Sequence, residues 1–374
     1  MGLGDTLPDD GGGHVTTKPV SIGIVGTGWR AEYFARIATR LPERFHLVGV
    51  TSRTPESRER FARTWSTTAF DSIDALARRR PELVVVSVPV PATPDVVTAL
   101  VDLGVFVLAE TPPAPTLQGL VDLWDRVGSS GRVHVAEQYP ELPGHAARRA
   151  IVESGSIGDV SSVQVSSTHG YHAVALMRSF LGDAGPASVA VRASVFDAPL
   201  VDPLSRAGWT HDDEPKPART VLATLDFGDG RSGVYDFTDN QWHNRLRFRR
   251  ILVRGSHGEI AGDDVVRFAG TATVLTSSIT RSQLGQDLNL DGHDSELLAF
   301  EGRHLWRNPF LGARLMDEEI AMATVLDRAG LWARGESEGP YSLAAASRDH
   351  AIALAIDEAV STGTSLSPDR LPWD

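Results

Sequence analysis

Apolar and polar positions alternate with two different periods along this chain. The run Val20-Ser21-Ile22-Gly23-Ile24-Val25 reads as a buried strand, and Ala31 to Arg40 behind it carries helical spacing. The same couple recurs. Phe45 to Thr51 predicts a strand and Pro55 to Thr64 a helix; Asp71 to Arg80 is helical, and Glu82 to Val88 is a near-continuous apolar strand of the kind buried in a parallel sheet. Helix Asp95 to Leu103, strand Val105 to Ala109, helix Leu117 to Val127 and strand Arg132 to Ala136 complete the series. Such alternation predicts a doubly wound, Rossmann-type parallel sheet with helices on both faces.

The pattern changes after Tyr139-Pro140. A helix over His145 to Ser154, a strand over Val160 to Ser167 and a helix over Ala173 to Leu181 are followed mainly by strands: Ser188 to Phe196, Thr220 to Phe227, Ser232 to Asp239, Arg249 to Arg254 and Glu259 to Gly262. Gly228-Asp229-Gly230 and Gly255-Ser256-His257-Gly258 are hairpin signals between them. Two long helices, Arg314 to Ala329 and Ser342 to Ser361, close the chain. The fold class is therefore α/β. A disordered leader (1–18) and a dinucleotide-binding Rossmann domain (19–138) precede an α+β substrate-binding and oligomerisation domain (139–374) with a large, mainly antiparallel open sheet. The stretch Asp197 to Pro217, with Trp209, His211 and Lys216, reads as a long loop suited to a lid or an oligomer contact.

Between the first strand and helix lies Gly26-Thr27-Gly28-Trp29-Arg30-Ala31, a G-x-G-x-x-A loop. Gly26 permits the tight turn, Gly28 lets the backbone approach a pyrophosphate seated on the helix N-terminus, and Ala31 allows close helix–strand packing. Gly26, Thr27, Gly28, Trp29 and Arg30 are accordingly assigned to a dinucleotide. The second strand ends in Thr51-Ser52-Arg53, without the acid that binds a ribose diol. Ser52 and Arg53 suit a 2′-phosphate, so the cofactor is NAD or NADP with a lean to NADP. Pro89, Glu110 and Glu137 end the next strands, at the carboxyl edge where ligands of such sheets bind.

Composition narrows the function classes. A net charge of −12 speaks against a nucleic-acid phosphate track, which needs a basic face. Zero cysteines exclude disulfides and thiolate chemistry, and two lysines, Lys18 and Lys216, leave almost no ammonium groups for catalysis. No stretch reaches the roughly 18 apolar residues of a membrane helix. Met1 to Lys18 has neither the basic start nor the apolar centre of a signal peptide, so a cytoplasmic protein is expected.

The glycine loop, Ala109-Glu110-Thr111-Pro112 at the fifth strand, and His172 followed by Leu176-Met177-Arg178-Ser179-Phe180-Leu181-Gly182 together resemble the Gfo/Idh/MocA family, over essentially all of Lys18 to Ser365. The resemblance implies hydride transfer at a carbinol of a sugar, sugar acid or cyclitol, and a second-domain sheet that mediates homodimers or homotetramers. Two departures bear on chemistry. The family's Glu-Lys-Pro lysine is replaced by Thr111, and its aspartate four residues before the histidine falls on Thr168. Neither hydroxyl titrates near neutrality. The missing lysine resembles a branch of NAD-dependent glycosidases in the same superfamily.

His172 is the acid–base candidate, opening a helix whose N-terminal end favours the neutral ring. Tyr139 is a second proton donor, and Thr111 a hydroxyl able to orient a substrate. Tyr171, His169, Arg247 and His243 are candidate substrate contacts. His169 and His172 lack a third ligand, so no metal is expected. Three functions remain open: an NAD(P)-dependent carbohydrate oxidoreductase, a redox-neutral glycoside hydrolase or lyase working through a transient keto-sugar, and a non-catalytic cofactor-binding sensor.

Overall fold

The structure is a computed structural model that describes residues 18–182, 189–205, 207–285, 292–367 and 370–374. The expected leader, apart from Lys18, and Ser188 at the start of an expected strand lie outside the described residues.

The first six strands are β1 (Val20–Val25), β2 (Phe45–Thr51), β3 (Ala69–Phe70), β4 (Leu83–Val86), β5 (Val107–Ala109) and β6 (Val133–Val135). They form one parallel sheet in the order β3-β2-β1-β4-β5-β6. Between them run α1 (Trp29–Arg40), α2 (Pro55–Thr64), α3 (Ile73–Ala77), α4 (Thr93–Asp102) and α5 (Leu117–Val127). All four residues of β4 are fully buried, which is why its sequence is apolar without alternation. Strand order reverses between β1 and β4, so the glycine loop after β1 and the Pro89 loop after β4 open into one crevice at the carboxyl edge.

The second half begins with α6 (Pro143–Glu153), β7 (Val160–Ser166) and α7 (Gly170–Leu181). Then come β8 (Ala190–Leu200), the short β9 (Leu204–Ser205) and β10 (Gly208–Trp209), β11 (Lys216–Gly228), β12 (Arg231–Thr238), β13 (Arg250–Gly255), β14 (Gly258–Ala261), β15 (Asp264–Phe268) and β16 (Val274–Ser278). Eight of these strands make a sheet ordered β16-β15-β14-β13-β7-β12-β11-β8, antiparallel except where β12 meets β7. A three-stranded sheet of β17 (Thr280–Leu284), β18 (Asp294–Phe300) and β19 (Arg303–Arg307) follows, then α8 (Asp317–Ala333) and α9 (Leu343–Thr362). Helices α6, α7 and α9 bury one face of the large sheet in a common core with Val163, Val165, Leu225, Ile251 and Val253.

Several expectations change. Asp197 to Pro217 is not one long loop: β8 and β11 remain paired as far as Leu200 and Lys216, and β9 and β10 form a small ribbon beyond them. The strands β15 to β19 lie where the apolar pattern predicts none, because much of β15 to β17 and β19 is exposed and carries too few apolar positions to alternate. Helix α7 starts at Gly170, which places His172 inside its first turn. Helix α8 starts at Asp317 rather than Arg314, capped by the Glu319 carboxylate, which accepts from the Met316 amide at 3.0 Å.

Although α8 follows the second sheet in the chain, it packs on the first. Ile320, Ala323, Val325, Leu326 and Ala329 share a core with β1 and α1. The contact is close because of Gly330, where an added Cβ would lie 2.4 Å from Val20 Cγ2. Polar ties hold the same seam. Arg334 donates to Glu82 at 2.7 Å, while Glu82 also accepts from the Ser21 amide and hydroxyl at 2.8 and 2.9 Å.

Candidate active site

The glycine loop has the geometry a pyrophosphate needs. Gly26 has φ +118°, and a Cβ there would fall 1.9 Å from the Ser87 carbonyl oxygen, so no other residue fits. Its amide is anchored to Thr51 O at 2.8 Å. Gly28 is the N-cap of α1 with no side-chain cap, and nothing lies within 4 Å of where its Cβ would be. An uncapped N-terminus of a 12-residue helix under open space leaves N–H groups to an anion, which fits a dinucleotide. Thr27 is half-buried beside it, and Trp29 is exposed and packs on Tyr33 at 4.6 Å between ring centroids. At the end of β2, Arg53 is exposed, and Ser52 spends its hydroxyl on Thr54 O at 3.3 Å. Arg58, absent from the sequence reading, donates to Ser52 O at 3.4 Å and brings a second guanidinium to this corner. Pro89 leads into a short 3₁₀ turn, Val90–Ala92, at the crevice edge.

Arg30 requires a correction. Its side chain turns from the cradle toward Glu318 at 2.7 Å and Glu110 at 3.5 Å, and the Gln138 amide, turned to present its oxygen, accepts from it at 2.8 Å. Burial alone would lower the basicity of this guanidinium, but Glu110 and Glu318 outweigh that and raise it. Burial pushes the Glu110 carboxyl above its usual range against the opposing pull of Arg30 and the Thr111 amide, the latter donating at 3.2 Å. Glu318 went unnoticed in the sequence, because it lies in the first turn of a distant helix with no motif to mark it.

His172 is 4% exposed, and its Nδ1 lies 2.6 Å from Glu137 Oε2. An ionised carboxylate only accepts, so Nδ1 carries the proton and, in the neutral ring, Nε2 is the free base. Glu137, assigned by sequence to the cofactor, is thus the partner that orients His172. Its other oxygen accepts from the Tyr139 amide at 3.0 Å. The rings of Tyr139 and Tyr171 each lie 4.4 Å from that of His172, and burial raises both phenols above their ordinary range. The Tyr171 side chain reaches Thr111. His169 stands 5.2 Å from His172; burial first, and His172 second, lower it to about 4.

Tyr139, Gln138 and Glu318 also line a cavity of about 550 Å³ between α6, the first turn of α8 and the large sheet, with Trp242 in the same lining. Neither Arg247 nor His243 lines it: the Arg247 side chain turns back to Leu246 O at 3.1 Å, and the His243 amide closes a turn on Asn240 O at 2.9 Å. Arg249 lines the cavity instead. Among the described residues no group of three or more His, Asp or Glu could hold a metal ion, and no helix is long and apolar enough to cross a membrane.

A parallel sheet with this strand order, a glycine loop after β1 and an open helix N-terminus define an NAD-binding Rossmann domain. Residues 20–138 match the GFO_IDH_MocA family model, the oxidoreductase family with an NAD-binding Rossmann fold. The match covers the first domain of the chain. Its whole fold is shared with solved structures. A levoglucosan dehydrogenase in complex with NADH and levoglucosan is 18% identical, with a TM-score of 0.65 over 95% of this chain and 100% of that one. Myo-inositol dehydrogenase from Corynebacterium glutamicum is 17% identical (TM-score 0.65; 94% and 99% covered). An oxidoreductase from Agrobacterium radiobacter, in complex with NAD+, L-tartaric acid and magnesium, is 14% identical (TM-score 0.68; 94% and 98% covered). No curated protein matches the chain.

Proposed function

We propose that this protein is an NAD(P)-dependent dehydrogenase acting on a carbinol of a carbohydrate or polyol. The observation that carries the reading is the buried His172–Glu137 pair, packed against Tyr139, which lines the 550 Å³ cavity. A bound nicotinamide dinucleotide supplies the hydride acceptor or donor. Gly26 to Gly28 hold its pyrophosphate, and Ser52, Arg53 and Arg58 suit a 2′-phosphate. His172, with Nδ1 committed to Glu137, takes the hydroxyl proton of the substrate at Nε2. Tyr139 and Tyr171 orient substrate hydroxyls; with phenols raised by burial they remain protonated donors at neutral pH. Arg30, through Glu110 and Glu318, fixes the cofactor loop against the cavity wall.

Thr111 favours a second reading, a redox-neutral hydrolase or lyase in which the dinucleotide ends each turnover as it began. Incubation with NAD or NADP and matched panels of free sugars, cyclitols and aryl glycosides separates the two. Steady change in absorbance at the reduced-nicotinamide band supports the dehydrogenase. Aglycone release without net absorbance change supports the second reading, and silence in both with retained dinucleotide binding leaves a sensor.

A further inference from the structure

We propose that the cavity takes a polyhydroxy acid, its single carboxylate held by Arg249; the inference rests on the proposed dehydrogenase reading and names its substrate class. It starts from sheet parity. Along β13 exposure alternates, with Ile251 and Val253 buried against the helices, and Arg250 and Arg254 on the opposite, open face. Those two outward arginines are paired, with Asp236 and Glu259, each at 2.8 Å. Arg249, exposed and just before β13, precedes Ile251 by two residues, so the parity of the strand directs it to the side of Ile251, which lines the same cavity. It stands one residue beyond the last paired position, Arg250↔Ser166, beside Ser167.

Both residues line the cavity. The Ser167 hydroxyl oxygen is buried without a hydrogen-bond partner, an arrangement a protein maintains at a cost unless a ligand completes it. The other charges of the lining cancel one another. Arg148 donates to Asp263 at 2.7 Å, Arg281 grips Asp317 through two bonds of 2.7 Å, and Glu318 is held by Arg30 at 2.7 Å. Arg249 has no such counter-ion among the described residues. One unpaired guanidinium balances one carboxylate; the second charge of a phosphomonoester would find every other cation of the lining already paired. The bidentate face of Arg249 and the neighbouring Ser167 hydroxyl supply the donors a carboxylate needs, while Tyr139, also in the lining, has its ring 4.4 Å from that of His172.

The test uses the full-length protein loaded with NAD or NADP and calorimetric titration with matched pairs: D-glucuronate and D-glucose, D-galacturonate and D-galactose, D-gluconate and sorbitol, with D-glucose 6-phosphate and myo-inositol alongside. At least one acid is expected to bind roughly 10–100-fold tighter than its neutral partner, the range for a hydrogen bond to a charged group. Arg249→Gln should abolish that advantage while leaving the neutral partner's affinity and the melting temperature unchanged, and Arg249→Lys should restore part of it. Neutral members binding as well as acids, an Arg249→Gln loss equal for both, or preference for the phosphate overturns the inference and leaves the dehydrogenase reading in place. No binding by any member, with dinucleotide still bound, overturns both.

Discussion

His172 owes its orientation to Glu137, a residue thirty-five positions earlier on another element, and the consequence is a prediction about both. His172→Ala should lower kcat by ~10²–10⁴-fold, the loss typical of a general base, with dinucleotide affinity retained. Glu137→Gln should lower kcat by roughly 10²-fold or more, because an amide nitrogen facing Nδ1 selects the wrong tautomer; calorimetry with the dinucleotide checks that the fold and cofactor site persist. At the other end of the crevice, Arg53→Ala should weaken NADP by about 1.5–3 kcal/mol and leave NAD nearly untouched. Equal losses would assign Arg53 to the adenine or to folding. At this scale the sequence was legible where backbone geometry dictates the residue. Gly26 is demanded by its φ and by Ser87, and the motif announced it. Side-chain partners were not legible: nothing local couples Arg30 to Glu318, and the register that puts Arg249 rather than Arg247 on the cavity wall is set by where β13 begins.

Elements with one strong period were read well, and those without were not. The parallel strands other than β3, and α1, α2, α4 and α5, stand within a few residues of their expected places, since burial on both faces or on one stripe leaves a plain trace; the two-residue β3 is too short to leave one. The strands β15, β16, β17 and β19 have mixed exposure and hydrogen-bond mainly through their backbones, which a side-chain pattern cannot report. The attachment of α8 was equally silent in the sequence, and it has a pH signature. Burial alone would raise the Glu82 carboxyl, but Arg334 and Ser21 outweigh it and lower the group from 4.5 to about 2. A carboxyl depressed on folding stabilises above its unfolded value and loses that contribution as pH falls toward the folded one. Glu82→Gln should therefore cost about 1–2 kcal/mol at pH 7, after discounting for solvent screening, and the difference from wild type in chemical denaturation should shrink between pH 4.5 and pH 2. A constant difference across that window would assign the loss to packing.

The outer face of the large sheet, which the helices leave uncovered, carries exposed apolar side chains at its two edges. On the outer face of the large sheet, Phe196, Leu222, Val266, Phe268 and Val274 are exposed, Val274 at 65% and Phe196 at 56%. We propose that copies of the chain associate through this face. Light scattering should find a dimer or tetramer, and Phe268→Glu with Val274→Glu should yield a folded monomer; a monomeric wild type removes the proposal. The two sheets differ in another respect. The core of the first is completed by α8, whose residues come nearly two hundred positions after β6. During synthesis the ribosome releases β1 to β6 long before Ile320 and Leu326 exist to cover them, so the nascent Rossmann domain passes most of translation with an apolar flank in water. The Rossmann core is thus begun early in the chain and closed only when α8 arrives.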